Sequence, residues 1–195
     1  MAVNQAIKKH FVKLGLAASL TLAGAYLVGP WEGMEKKAYQ DVVGVWTVCY
    51  GETQYVKRGD TYTAEECNNQ LAKSLPRYQE QMLRYVKVPL APYQEAAFIS
   101  FTYNVGVGNF AKSTLLKKLN QGNYQGACEE LRKWVYAGGK KYQGLVNRRE
   151  DEYKMCIGAY KDETVGMLRN WETQYDFTTE IITTQTTTEE VHQVF

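Results

Sequence analysis

Histidine is nearly missing from this chain: among 195 residues only His10 and His192 occur. Cysteine is sparse as well, and Cys49, Cys67, Cys128 and Cys156 include no CxxC pair. Zinc sites need those two residue types in close clusters, so a zinc site is excluded and no metal or cofactor is expected. An excess of either charge is also lacking, with 23 Lys+Arg against 21 Asp+Glu and a net charge of +2. The basic residues are dispersed rather than gathered into a run, so no nucleic-acid partner is implied. With 45% apolar and 23% charged residues, the composition is that of a soluble body and not of a polytopic membrane protein or a disordered chain. The four cysteines leave two readings, paired disulfides in an oxidising compartment or buried free thiols, and three pairings are open.

One apolar run stands out. From Leu14 to Pro30 no residue is charged, and Lys8, Lys9 and Lys13 precede it. Its 17 residues sit at the lower limit of a membrane span. The basic flank predicts a cytoplasmic N-terminus with the rest of the chain outside. Nine positions in the run are small or hydroxylated (Gly15, Ala17, Ala18, Ser19, Thr21, Ala23, Gly24, Ala25, Gly29), which weakens its preference for lipid. The readings are a permanent anchor, a signal peptide cleaved at the A-x-A-like Ala23-Gly24-Ala25, and a segment that inserts and later leaves. A core helix is the fourth, but it is expected to show a polar face, and this run is apolar all round.

Beyond residue 30, β-branched and aromatic residues punctuated by Gly44 and Gly51 predict short strands between Ala38 and Tyr55. Thr63 with Glu66 forms a capping box ahead of a helical period through Leu71, Leu75, Tyr78, Met82 and Tyr85, which Pro76 is expected to bend. Pro92 opens another helix that ends at the Gly106/Gly108 break, and Ser113, Asn123 and Leu145 lead into three more. Residues 161–195, rich in threonine, show no core-forming period and are expected to be a loosely ordered extension.

Glycoside hydrolysis requires one acid to protonate the leaving oxygen and a carboxylate to direct water or attack the sugar. Glu32, at the start of a helix-like stretch through Lys37, and Asp41, in the turn before the strands, are candidates. Thr47 follows on Val45-Trp46-Thr47-Val48, where its hydroxyl can hold a water against Asp41. Spacing alone would leave these as solvated surface charges. However, Glu32-Gly33, Tyr39-Gln40-Asp41 and Gly44-Val45-Trp46-Thr47-Val48-Cys49-Tyr50-Gly51 together resemble the catalytic stretch of the phage T4-type lysozymes, with its Glu, Asp and Thr at offsets of nine and fifteen. Tyr103-Asn104-Val105-Gly106-Val107-Gly108-Asn109-Phe110 and Ser113-Thr114-Leu115-Leu116 resemble that family's central cleft segment. Trp134, Ala137-Gly138-Gly139-Lys140 and Arg148-Arg149-Glu150 resemble its C-terminal helices. The likeness covers about Trp31 to Ile157.

The resemblance implies an α+β, mostly helical lysozyme-like fold, with a small β lobe, a larger helical lobe and the active-site cleft between them, preceded by the N-terminal apolar segment. The expected organisation is 1–30 as that segment, 31–160 as the catalytic domain and 161–195 as the extension. It implies hydrolysis of the β-1,4 bond between N-acetylmuramic acid and N-acetylglucosamine in peptidoglycan, by a monomer. Glu32 is then the general acid, Asp41 the carboxylate that directs water and Thr47 the water-positioning hydroxyl. Asn104, Val105 and Gly106 would line the saccharide cleft, Trp134 would pack beneath it or be plain core, and Arg148 would pair with Glu32 or be an exposed helix charge. Within such lobes the expected disulfides are Cys49–Cys67 and Cys128–Cys156. The chain departs from the pattern at Glu52, where the family commonly has histidine, so that histidine's polar pair is not carried over.

The weakly apolar N-terminus also resembles that of signal-anchor-release endolysins, which wait in the inner membrane and are then released to the periplasm. A tethered enzyme of this kind is expected to be inactive, because Glu32 would be held two residues from the membrane boundary. The competing readings are a secreted lysozyme with a cleaved signal peptide and a membrane-anchored peptidoglycan-binding protein without catalysis.

Overall fold

The structure, a computed structural model, describes residues 3–41 and 44–159, so the threonine-rich extension lies outside the described residues. The chain opens with helix α1 (Gln5–Lys13), whose N-cap Asn4 accepts a hydrogen bond from the Ile7 amide. Helix α2 (Ala18–Leu22) then runs without a break through a π-helical stretch (Ala23–Val28) into α3 (Gly29–Glu32). This rod carries most of the apolar run, and it is core: Leu22, Ala23, Ala25, Tyr26, Leu27 and Val28 are all buried. The expectation that a core helix here would show a polar face does not hold. The reason is that α1 folds back over one side of the rod, and α4 (Ala64–Leu83) and α5 (Pro92–Val105) cover the others. Glycine permits the fold-back, since Ile7 sits against Gly29 and Phe11 against Gly24 where side chains would collide. Among the described residues no helix is long and apolar enough to cross a membrane.

The β lobe is a hairpin of β1 (Glu35–Gln40) and β2 (Trp46–Cys49), antiparallel with Tyr39 opposite Thr47 and Glu35 opposite Cys49. Glu35, Lys36 and Lys37, expected to be helical, are therefore strand. The helix stops because Gly33 takes a φ of +70°, a left-handed conformation that glycine tolerates. Thr63 and Glu66 form the predicted capping box of α4, and Pro76 lies within that helix.

Seven consecutive residues of α5, Ala96 to Thr102, are buried, which marks it as the central helix of the larger lobe. Around it follow α6 (Val107–Lys112), α7 (Thr114–Leu119), α8 (Tyr124–Leu131), a small hairpin of β3 (Tyr136–Ala137) and β4 (Lys140–Lys141), and α9 (Gln143–Cys156). Ser113 and Asn123 cap α7 and α8 as their sequence positions predict. Disulfides join Cys49 at the end of β2 to Cys67 in the first turn of α4, and Cys128 on α8 to Cys156 at the end of α9, and among the described residues no cysteine is free.

Candidate active site

Glu32 is the last residue of α3, so the apolar rod that packs into the core also delivers this carboxylate to the surface. Its side chain is 23% exposed, and its Oε1 lies 2.7 Å from Nη1 of Arg148 on α9, itself only 5% exposed. Arg148 is thus a buried partner and not a solvated helix charge. Its Nε is 3.2 Å from Glu152 and its Nη2 donates to the Ser100 carbonyl.

Asp41 follows directly on β1, and its Oδ1 accepts from the Val45 amide at 2.8 Å while its own amide donates to the Val45 carbonyl. Those two bonds close the turn and fix the carboxylate at the end of the hairpin. Thr47 is buried on β2, and its hydroxyl donates to the Val45 carbonyl at 3.1 Å, which leaves the oxygen's acceptor side for a water. Asp41 and Thr47 are therefore organised by one turn. Glu32 is organised by the helical lobe through Arg148.

The residues expected to line the cleft take different positions. Asn104 is exposed at the end of α5, with its side-chain oxygen accepting from Nη2 of Arg149 at 2.6 Å. The Val105 carbonyl accepts from the Asn109 amide group. Gly106 turns the chain between α5 and α6 with a φ of +84°, and a Cβ there would meet open space. Trp134 is half-buried and meets Phe101 edge-on at 5.2 Å, which is a packing role.

Glu52 lies just after β2, where its backbone bridges to Val48 in both directions. With Gln54, Ser74, Arg77, Tyr78 and Tyr103 it lines a cavity of about 280 Å³. Burial, then Glu52 and Glu32, push the phenol of Tyr103 well above its ordinary range, and the same causes raise that of Tyr78, so both stay neutral. Tyr103 donates to the Tyr50 carbonyl at 2.7 Å, linking α5 to the end of the hairpin.

Sequence reasoning missed Glu152, Arg149 and Ser100 as parts of this site. The signal was available: on α9 three of the inward positions between Leu145 and Cys156, Arg148, Arg149 and Glu152, are occupied by charges, and a charge on a core-facing stripe needs a partner.

The phage lysozyme family model matches residues 29–152. A SAR-endolysin of Bacteriophage PS119 is 43% identical over 163 residues, which cover 80% of this chain and 98% of that one. Among solved structures, a P22 lysozyme variant is similar with a TM-score of 0.63 and 32% identity, covering 72% of this chain and 96% of that one. The endolysin from Escherichia coli O157:H7 phage FAHEc1 is similar with a TM-score of 0.64 and 29% identity, covering 74% of this chain and 94% of its own.

Proposed function

Because the chain belongs to the phage lysozyme family and is a peptidoglycan-hydrolysing glycosidase of phage lysis, we propose that Glu32 is its general acid, Asp41 the carboxylate that directs water and Thr47 the hydroxyl that holds that water. The observation that carries this reading is the Glu32–Arg148 contact at 2.7 Å. A surface glutamate has no need of a buried arginine, whereas an acid that must meet one glycosidic oxygen needs a fixed orientation. Glu32 protonates the leaving oxygen as the C–O bond breaks. Asp41 takes a proton from water as it attacks from the opposite face, and Thr47 accepts a hydrogen bond from the same water. This assignment requires the two carboxyl groups to stand about 6.5–9.5 Å apart in the working enzyme and the product to be inverted. Asn104, Val105 and Gly106 line the saccharide cleft in this reading, and peptidoglycan glycan strands are the substrate.

Glu32→Gln keeps the shape and loses the proton. It should fold with a wild-type melting profile and clear peptidoglycan suspensions at least about 10²-fold more slowly. Clearance near the wild-type rate would refute the assignment, and a retained anomer in the first product would refute the inverting course.

We further propose that residues 14–30 first reside in the host inner membrane, with the N-terminus cytoplasmic and the catalytic body periplasmic, and then leave the bilayer to release the protein into the periplasm. The SAR-endolysin relatives and the small residues of the run support this reading. In lipid the rod is unavailable to the core, and Glu32, two residues beyond Pro30, is drawn away from Arg148. Retention of the segment, rather than cleavage after Ala25, is supported by the burial of Ile7, Phe11, Leu20 and Leu22, which cleavage would remove from the core. Fractionating cells before and after collapse of the membrane potential should move the uncleaved protein from the membrane to the soluble fraction as lysis begins. Lysis by protein that stays wholly in the membrane would refute tethering as the control.

A further inference from the structure

Glu152 is fully buried on α9, and nothing in the reaction above uses it. Its Oε1 lies 3.2 Å from Nε of Arg148 and accepts from the Ser100 hydroxyl at 2.8 Å. Its Oε2 lies 3.1 Å from Nη1 of Arg149. Arg148 continues to Glu32, and Arg149 continues to Asn104. One carboxylate therefore bridges two guanidiniums, each of which reaches a different residue of the candidate site. Keeping such ions out of water carries a large desolvation cost, and apolar side chains of similar size would fill the same space without it. Stability alone gives the cluster no reason to exist.

We propose that Glu152 is a positioning residue for the glycosidase reaction, orienting Arg148 and setting the net charge against which Glu32 holds its proton. The inference rests on Glu32 being the acid. Its sign follows from counting charges. Arg148, Arg149 and Glu152 together present one net positive charge to Glu32. Neutralising Glu152 raises that to two and favours the Glu32 carboxylate over the acid. Neutralising Arg149 lowers it to zero and favours the acid. The groups outside this cluster that share the electrostatic surroundings of Glu32 are Glu52 after β2, Tyr78 of α4 and Tyr103 of α5. None of them is altered, and both phenols remain neutral.

The test is the pH profile of kcat/KM for purified full-length wild type, Glu152→Gln and Arg149→Gln on solubilised glycan strands. The alkaline limb of this profile reports loss of the acid's proton in the free enzyme. It should move to lower pH by about one unit in Glu152→Gln and to higher pH by a similar amount in Arg149→Gln, the scale of a neighbouring charge. A constant unfolded fraction lowers the height of the profile without moving its limbs, and circular dichroism over the same pH range marks where either variant unfolds. Should Glu152→Gln fail to fold, Arg149→Gln still reads the effect, since its Glu152 keeps Arg148 and Ser100. Limbs that coincide with wild type, or that move in the same direction in both variants, overturn the proposal. Glu32→Gln separates the two ideas: activity in that variant removes the acid assignment, whereas an inert Glu32→Gln with unmoved limbs removes only the role of Glu152.

Discussion

Replacing Gly29 by alanine adds one methyl group where the buried rod meets α1. An ideal Cβ there would stand 2.2 Å from Cδ1 of Ile7 and 2.8 Å from the Gly24 carbonyl oxygen. Both are far inside van der Waals contact. Ile7 is fully buried, so its methyl can yield only by displacing other core atoms, and the carbonyl belongs to the rod itself. Overpacking costs about 1–3 kcal/mol, and a collision with both a buried methyl and a backbone oxygen falls in the upper part of that range, about 2–3 kcal/mol. Alanine returns about 1 kcal/mol over glycine through helix propensity, leaving a net loss of about 1–2 kcal/mol. For a body of this size that lowers the melting temperature by about 3–6 °C, measured by circular dichroism on the soluble full-length protein. Ile7→Val removes the colliding Cδ1 and by itself costs about 0.5–1.5 kcal/mol. The double variant should therefore be less destabilised than the sum of the singles by about 1 kcal/mol, a partial rescue because the Gly24 carbonyl remains. If Gly29→Ala melts at or above wild type, or if the two changes simply add, then α1 does not close on the rod in this way.

Two further predictions concern the rest of the fold. Reducing the disulfides removes the closure of loops with sequence separations of 18 and 28 residues, at about 3 kcal/mol each, so the melting temperature should fall steeply with added thiol and Cys128→Ser/Cys156→Ser should reproduce part of the fall. Unchanged melting under reducing conditions would contradict it. Thr63→Ala loses the hydroxyl that accepts from the Glu66 amide and should destabilise by about 1 kcal/mol, with denaturant midpoint as the readout and Thr63→Ser as the variant that restores it.

Much of the architecture is local and was legible along the chain. The capping box at Thr63, proline at the start of α5, the caps Ser113 and Asn123, and the glycine break at 106 each act through neighbours within a few residues, so sequence alone places them. The Glu32, Asp41 and Thr47 offsets were legible through their likeness to a known catalytic stretch, and the disulfide pairs through the lobes which that likeness implies. The stop at Gly33 was misread, since a helix-like run of Glu and Lys carries no sign that one glycine ahead of it turns the chain into a strand.

The partners of buried charges were not legible: the core-facing stripe of α9 shows that its charges need partners, but which groups supply them is decided only when α5 and α3 pack against it. The same limit governs the N-terminal run. Its composition determined that most of residues 14–30 leaves water, and no more than that, since lipid and a core enclosed on every side both exclude water and reward the same side chains. Only the tertiary structure decided that α1, α4 and α5 enclose this rod, and so brought Glu32 at its end against Arg148.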